Sequence, residues 1–311
     1  MQRALFIQTA FIGDAILGAA AVEALHAQDF KVDVLVRKGN ELFYQDHPKV
    51  GRVWVWDKKN KWRSWWMLLK QVRKERYDVL FLAQRFFTMG LFALLSNAVK
   101  KVGYAQGWWS FFFDVRITHQ WGTGVHEVQR LMDLVGSDQF FMPQLNVNSH
   151  AVDLPQEKYI TISPSSVWKT KQAPVAVWQQ VLNRNADKKV LVLGGPGDVP
   201  ALHELMKELR LNHSNWEIVA GRYSLMQSGY LMKNAVMNYV NDSGPLHLCS
   251  ATQAPVTAFF CSTVPAFGFG PLSEDSVVLE TKEELDCRPC GMHGHAKCPK
   301  GHFKCGQIKL S

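Results

Sequence analysis

The chain has 311 residues, 47% hydrophobic and 20% charged, which suits one large or two medium globular domains. No stretch of about 18 uninterrupted apolar residues occurs, which excludes a transmembrane helix. The net charge of +8 is unevenly placed: residues 1–150 carry 19 Lys and Arg against 13 Asp and Glu, and the rest carry 16 against 14. A basic first half points to an anionic partner such as a phosphorylated lipid, a membrane surface or nucleic acid.

In chain order, residues 4–9 read as a buried strand, Phe11-Ile12-Gly13-Asp14 as a turn, and Ala15 to Leu25 as an alanine-rich helix. Asp14 interrupts the apolar run and an alternating strand follows at 31–36, so this stretch is read as a folded βαβ unit rather than a signal peptide. The spacing implies a parallel sheet with a right-handed crossover. Ligands gather at the carboxyl ends of such strands, where Asp14 falls. Residues 52–76 hold nine Lys and Arg against Asp57 and Glu75, interleaved with Trp54, Trp56, Trp62, Trp65 and Trp66. Trp65, Leu68, Leu69 and Val72 share one helical face. This stretch is either an amphipathic helix packed on the sheet or a surface that meets a phosphorylated amphiphile or a membrane interface. Lys61, Trp62 and Arg63 are expected in a loop before that helix. A strand is predicted at 77–82 and a helix at 84–98. An aromatic loop or hairpin follows over 103–125, either an acceptor lid or packing, and then a helix from His126 to near Gly136.

Periodicity lapses over 143–158, between Pro143 and Pro155, which places an interdomain linker there. The expected division is 1–150 for the acceptor domain, 151–285 for the donor-nucleotide domain and 286–311 for a cysteine-rich tail. The second domain opens on a strand at 159–163. Its strand 189–193 runs into Gly194-Gly195-Pro196-Gly197-Asp198 and a helix over 199–209. A glycine turn between strand and helix suits close backbone approach to a ligand, and a plain tight turn explains it equally well. Strands at 216–219 and 235–240 and a helix at 224–233 lead to Asn241-Asp242-Ser243-Gly244-Pro245-Leu246-His247. There Asp242 or Ser243 would cap a helix and Pro245 would sit in its first turn, leaving backbone N–H groups for a phosphate at the positive end of the helix dipole. An ordinary capped helix would carry the same residues.

Several segments, in order, carry a resemblance. They are Ile12-Gly13-Asp14-Ala15-Ile16-Leu17, Ser163-Pro164 with Lys171-Gln172-Ala173-Pro174, Leu193-Gly194-Gly195-Pro196-Gly197-Asp198, Ala220-Gly221 with Ser224-Leu225, and Asn241 to His247. The set resembles the lipopolysaccharide heptosyltransferase family. That resemblance implies a GT-B fold, two Rossmann-like α/β domains facing a central cleft, and a cytoplasmic enzyme peripheral on the inner membrane. It implies inverting transfer of heptose from ADP-L-glycero-D-manno-heptose to the lipid A–core acceptor. Asp14 would be the general base, since an inverting transfer needs one base within reach of the attacking hydroxyl. Lys171, with Lys169 as a competitor, would neutralise the diphosphate leaving group. Gly13, Ser163, Ser166, Gly195, Asp242, Ser243, Gly244, Pro245 and His247 would bind the donor, with Asp242 meeting the heptose. Lys61 and Arg63 would face acceptor phosphates or carboxylates. Where the family carries an aromatic residue, this chain has Ala173, and the aromatic run at 108–113 departs from the family pattern.

Catalysis in this reading needs no metal. The tail is another matter: Cys287-x2-Cys290-x7-Cys298-x6-Cys305 clusters four of the six cysteines. Four thiolates suit a structural zinc or iron ion, with His293, His295 and His302 as alternates and reduced thiols or disulfides as the competing reading. Three functional alternatives stay open: a GT-B transferase using another nucleotide sugar such as UDP-N-acetylglucosamine, a non-catalytic sugar-nucleotide binder, and a basic nucleic-acid-binding protein with a four-cysteine metal site. The heptosyltransferase reading expects no nucleic-acid partner.

Overall fold

The computed structural model describes residues 1–209 and 215–310. It divides into two compact units, Met1–Asn146 and Val147–Ser311, each a parallel α/β sheet.

The first unit runs β1 (Gln2–Gln8), α1 (Ile12–Leu17), α2 (Ala19–Ala27), β2 (Phe30–Arg37), β3 (Val50–Trp56), α3 (Lys61–Val72), β4 (Val79–Leu82), α4 (Phe87–Leu95), β5 (Lys100–Tyr104), β6 (Val115–Ile117) and α5 (Glu127–Val135). Its sheet order is β3-β2-β1-β4-β5-β6, so the strand order reverses between β1 and β4. The second unit runs β7 (Tyr159–Ser163), α6 (Val175–Arg184), β8 (Lys189–Val192), α7 (Val199–Glu208), β9 (Trp216–Ile218), α8 (Leu225–Lys233), β10 (Asn238–Asn241), α9 (Gly244–Thr252), β11 (Val256–Phe260) and β12 (Ser276–Glu280). Its order, β12-β11-β10-β7-β8-β9, reverses between β7 and β10. Every strand pair is parallel. Helices cover both faces of such sheets, so central strands read as unbroken apolar runs, as in Val79-Leu80-Phe81-Leu82, wholly buried. A crevice outside the strand ends at each reversal is where this architecture binds ligands.

The first helix differs from its expected form. It starts at Ile12, one turn early, and breaks at Gly18 into α1 and α2. The Tyr44 hydroxyl donates to the Ala15 carbonyl and so enters the helical ladder. A Cβ at Gly18 would lie 2.7 Å from that hydroxyl oxygen, so only glycine leaves room for it.

The helix after Asn60 also starts early. Lys61, Trp62 and Arg63 form the first turn of α3 rather than a loop, because the Ser64 hydroxyl bonds back to the Asp57 carbonyl at 2.7 Å and anchors the entry. The apolar face is the expected one: Trp65, Leu68, Leu69 and Val72 are buried in the unit's core. The aromatic run at 108–112 is a short 3-10 turn, and β6 pairs with β5 in parallel, so this region is a crossover and not a hairpin. Gly103 permits it, since Phe113 lies where a side chain at 103 would be.

Candidate functional site

In the second unit the β7/β10 reversal gathers most of the residues singled out by sequence. Ser163 ends β7 and Asn241 ends β10. Ser243 is the N-cap of α9, with Pro245 in its first turn. The Asp242 N–H donates to the Phe259 carbonyl at 3.2 Å, which fixes the turn. The Asp242 carboxylate is nearly buried; it pairs with the Lys171 ammonium at 2.6 Å and accepts the Thr263 hydroxyl at 2.6 Å. Lys171 therefore stands at the start of α9, in a nearly buried ion pair whose attraction is only weakly screened. The Ser163 Oγ is buried with no hydrogen-bond partner among the described residues. An orphaned hydroxyl at a sheet reversal fits a contact completed by ligand.

Other expected residues are placed differently. The Gly195 N–H donates to the Asp198 carboxylate at 2.8 Å, so it serves its own turn. Gly221, with φ of +75°, lies against Pro196 and donates to the Gly194 carbonyl at 3.0 Å. Ser166 shares the loop of Lys171, and its carbonyl accepts from the Gln172 side chain at 2.8 Å. Of the two competing lysines, Lys169 is exposed and Lys171 is half-buried in its pair with Asp242. His247 is buried, its ring edge-on to Phe269 at 6.0 Å. Ala173 is a core residue; its N–H donates to the Asn241 side chain at 3.0 Å. Sequence reading assigned no role to Asn241, which also donates to the Pro164 carbonyl at 2.6 Å and so ties the Lys171 loop to β10. Its membership of the 241–247 motif was the available signal.

In the first unit Gly13 and Asp14 lie in the first turn of α1, beside the β1/β4 reversal. Asp14 is not an N-cap but the third helical residue, and its carboxylate accepts the Phe11 N–H at 3.2 Å. Near it lies Glu127, the first residue of α5 and buried. Burial, then the charge of Asp14, pushes the Glu127 carboxyl up to about 7. Arg130 opposes this through a 2.8 Å ion pair and is itself held by the Gln120 carbonyl at 2.6 Å. Nothing in the local pattern marked Glu127: Arg130 lies on its own helix, but its burial and the charge of Asp14 come from other elements. At the strand ends Thr9 donates to Gln84, whose Nε2 is buried without a partner among the described residues.

Lys61 and Arg63 are exposed on α3. Beside them a cavity of about 310 Å³ is lined by Arg37, Lys38, Asp57, Lys58 and Lys59, at the carboxyl ends of β2 and β3. Lys58 donates to the Thr9 carbonyl at 3.0 Å; burial first, then Arg37 and Lys61, hold its ammonium below the usual lysine range. These crowded cations suit an anionic group. Trp62, Trp66, Met67, Phe86, Phe87, Trp108, Phe111 and Phe112 are all exposed on this unit. The starts of α3 and α4 are joined by the Trp65 indole donating to the Thr88 carbonyl at 3.1 Å. Phe87 meets Trp108 at 5.7 Å and Trp108 meets Phe112 at 6.4 Å, so these three exposed rings form one patch.

The tail packs into the second unit: Cys305 and Ile308 belong to its core. The six cysteines are free thiols. Cys287, Cys290 and Cys298 each raise the Cys305 thiol electrostatically, after burial, to about 11, so the four tail thiols share one neighbourhood. Among the described residues, however, no three His, Cys, Asp or Glu side chains converge closely enough to hold a metal ion.

Comparison with known proteins gives the arrangement its family. The model for glycosyltransferase family 9 (heptosyltransferase) matches residues 65–297. Lipopolysaccharide heptosyltransferase 1 of Pseudomonas aeruginosa is 25% identical, over 93% of this chain and 86% of its own. E. coli ADP-heptose LPS heptosyltransferase II shares the fold, with a TM-score of 0.77 at 18% identity over 93% of this chain and 96% of that one. A family 9 glycosyltransferase from Veillonella parvula gives 0.78 at 18% identity, over 90% and 86%. Two parallel Rossmann-like units of the GT-B class, with the 163–174 and 241–247 segments met at one sheet reversal, agree with these matches: the chain is a glycosyltransferase and belongs to glycosyltransferase family 9, the heptosyltransferases.

Proposed function

We propose that this chain transfers heptose from ADP-L-glycero-D-manno-heptose to the inner core of lipopolysaccharide, with inversion at the anomeric carbon. The observation that carries the reading is the Lys171–Asp242 pair at the start of α9. A diphosphate there would meet the α9 N–H groups and the Lys171 ammonium, and charge developing on the departing ADP would be stabilised where it forms. Ser163, whose hydroxyl has no partner among the described residues, and Ser166 would contact phosphate, and Ser243, Gly244 and Pro245 would shape the approach. Asp242 would orient the sugar. Its pairing with Lys171 means that donor phosphate would compete for the ammonium, freeing the carboxylate for hydroxyl groups.

Asp14 is the proposed base. It would take the proton of the acceptor hydroxyl as that oxygen attacks the anomeric carbon and the bond to ADP breaks. Gly13, beside it, lets the backbone approach substrate closely. Lys61 and Arg63, with the cavity of Arg37, Lys58 and Lys59, would take acceptor phosphates or carboxylates. The exposed aromatic surface bordered by these cations fits the interfacial zone of an anionic membrane, which supports a cytoplasmic enzyme peripheral on the inner membrane. Zinc or iron held by Cys287, Cys290, Cys298 and Cys305 is a further part of the proposal. The chemistry of four thiols supports it; no three of them converge among the described residues, so the ion would have to draw them together, and metal analysis of the purified protein tests it. Such an ion would staple the tail and take no part in transfer.

Calorimetric titration with ADP-heptose, ADP, UDP and a short oligonucleotide tests the donor. Binding of the ADP compounds alone, weakened at least tenfold by Lys171→Ala, is the expected result. Preference for UDP would keep the fold and move the sugar chemistry; binding of the oligonucleotide alone would overturn the reading.

A further inference from the structure

We propose that the carboxyl-terminal segment is a positioning device for Lys171, acting through Thr170 and Arg288. The inference rests on the reading of Lys171 given above. Lys169 to Lys171 is a single 3-10 turn, too short to hold its own geometry, and Val167 and Trp168 before it are exposed. The loop must be held from outside.

Thr170 supplies one hold. It is buried, and all its polar groups are engaged. Its N–H donates to the His295 carbonyl at 3.1 Å, and its carbonyl accepts the Ser262 N–H at 3.2 Å. Its hydroxyl oxygen accepts the His295 N–H at 2.7 Å and the Ser262 hydroxyl at 3.0 Å. The Ser262 carbonyl in turn accepts the Cys290 N–H at 2.8 Å. Gly294, with φ of +78°, presses so close that a Cβ there would lie 2.9 Å from the Thr170 hydroxyl and 3.3 Å from Cγ of Lys171. The tail backbone thus lies directly against the lysine.

Arg288 supplies the other hold. Its guanidinium donates to the carbonyls of Cys261 at 2.6 Å, Phe260 at 3.1 Å and Thr263 at 2.8 Å, and it pairs with Glu280. One planar fork fastens the whole loop after β11. That loop carries Thr263, whose hydroxyl donates to the Asp242 carboxylate paired with Lys171. The ammonium end of Lys171 is therefore fixed by way of Arg288, and its backbone end by way of His295. Both arms start within eight residues of the tail, between Arg288 and His295, in the segment that also bears Cys290. A tail that merely stabilised the unit would have no reason to engage both ends of one lysine.

The test is acetylation footprinting of lysines by mass spectrometry on the full chain, with ADP titration alongside. In the wild type Lys171 reacts slowly. In Thr170→Val, Gly294→Ala and Arg288→Ala its labelling rises several-fold relative to Lys189, and transfer falls on the order of ten- to hundredfold in kcat. Thr170→Ser, which keeps the hydroxyl, restores both. Combined with Lys171→Ala, the Thr170→Val change adds nothing further to the loss of ADP affinity, because it acts through the missing ammonium. Unchanged Lys171 labelling in the folded variants, or full additivity in the double variant, overturns the inference. If Arg288→Ala does not fold, Thr170→Val and Gly294→Ala decide. Lys171→Ala with unchanged ADP affinity would instead sink the donor reading, while the labelling result still judges the positioning.

Discussion

Each unit places a carboxylate just beyond a strand at its sheet reversal, yet the two carboxylates meet different groups. Asp242 is neutralised: an ammonium at 2.6 Å and a hydroxyl at 2.6 Å surround it. Asp14 accepts a backbone N–H and has a second, buried carboxyl, Glu127, in its field. The same α/β geometry thus yields one carboxylate in contact with a fixed ammonium and one that accepts a backbone N–H beside a second, buried carboxyl.

The largest expected effect comes from removing the base. Asp14→Asn should lower transfer by about 10²–10⁴-fold while ADP-heptose affinity, read by calorimetry, stays within twofold. If Asp242→Asn instead proves the more damaging to kcat at unchanged donor affinity, the two roles are reversed. Next, Lys171→Ala leaves Asp242 without its ammonium. Breaking a buried pair from one side costs about 3 kcal/mol, so the melting temperature should drop, and Lys171→Ala with Asp242→Asn together should recover part of that loss.

A smaller effect tests the break in the first helix. Gly18→Ala should destabilise the first unit by roughly 1–3 kcal/mol through overpacking against Tyr44. In a Tyr44→Phe background the cost should shrink, because the obstructing hydroxyl is gone; equal cost in both backgrounds, read from denaturant midpoints, would remove Tyr44 as the cause. Another concerns pH. The folded chain holds the Glu127 proton more tightly than the unfolded chain, whose carboxyl titrates near 4.5. The contribution of this site to stability is therefore complete below about 4.5 and is lost as pH rises through about 7. Glu127→Gln, which retains a bond to Arg130, should flatten the stability profile across that window.

The aromatic surface offers another contrast between the units, since the exposed cluster of Trp62, Trp66, Phe87, Trp108 and Phe111 belongs to the first. Replacing Trp108, Phe111 and Phe112 by serine should reduce co-sedimentation with phosphatidylglycerol vesicles about tenfold at low salt, and Val236→Ser in the second unit should not.

Much of the fold was legible in the sequence because its signals are local. Apolar runs such as Val79 to Leu82, the α3 face of Trp65, Leu68, Leu69 and Val72, and the Ser243–Pro245 helix start follow from neighbouring residues, and the parallel order follows from strand–helix alternation. The ordered family segments likewise singled out Asp14, Lys171 and Asp242, on which the proposed function rests. What the tertiary structure alone decided are the pairings between distant segments. The Lys171–Asp242 contact spans 71 residues, while neighbouring Lys169 is exposed. Tyr44 broke a helix that propensity alone would continue, and Ser64 drew Lys61 and Arg63 into a helix that composition assigned to a loop. Gly195 spent its N–H on Asp198, and the tail reached Thr170 across 125 residues. Periodicity reports which face of an element is buried; which polar atoms meet there depends on how the elements pack, and no local pattern carries that.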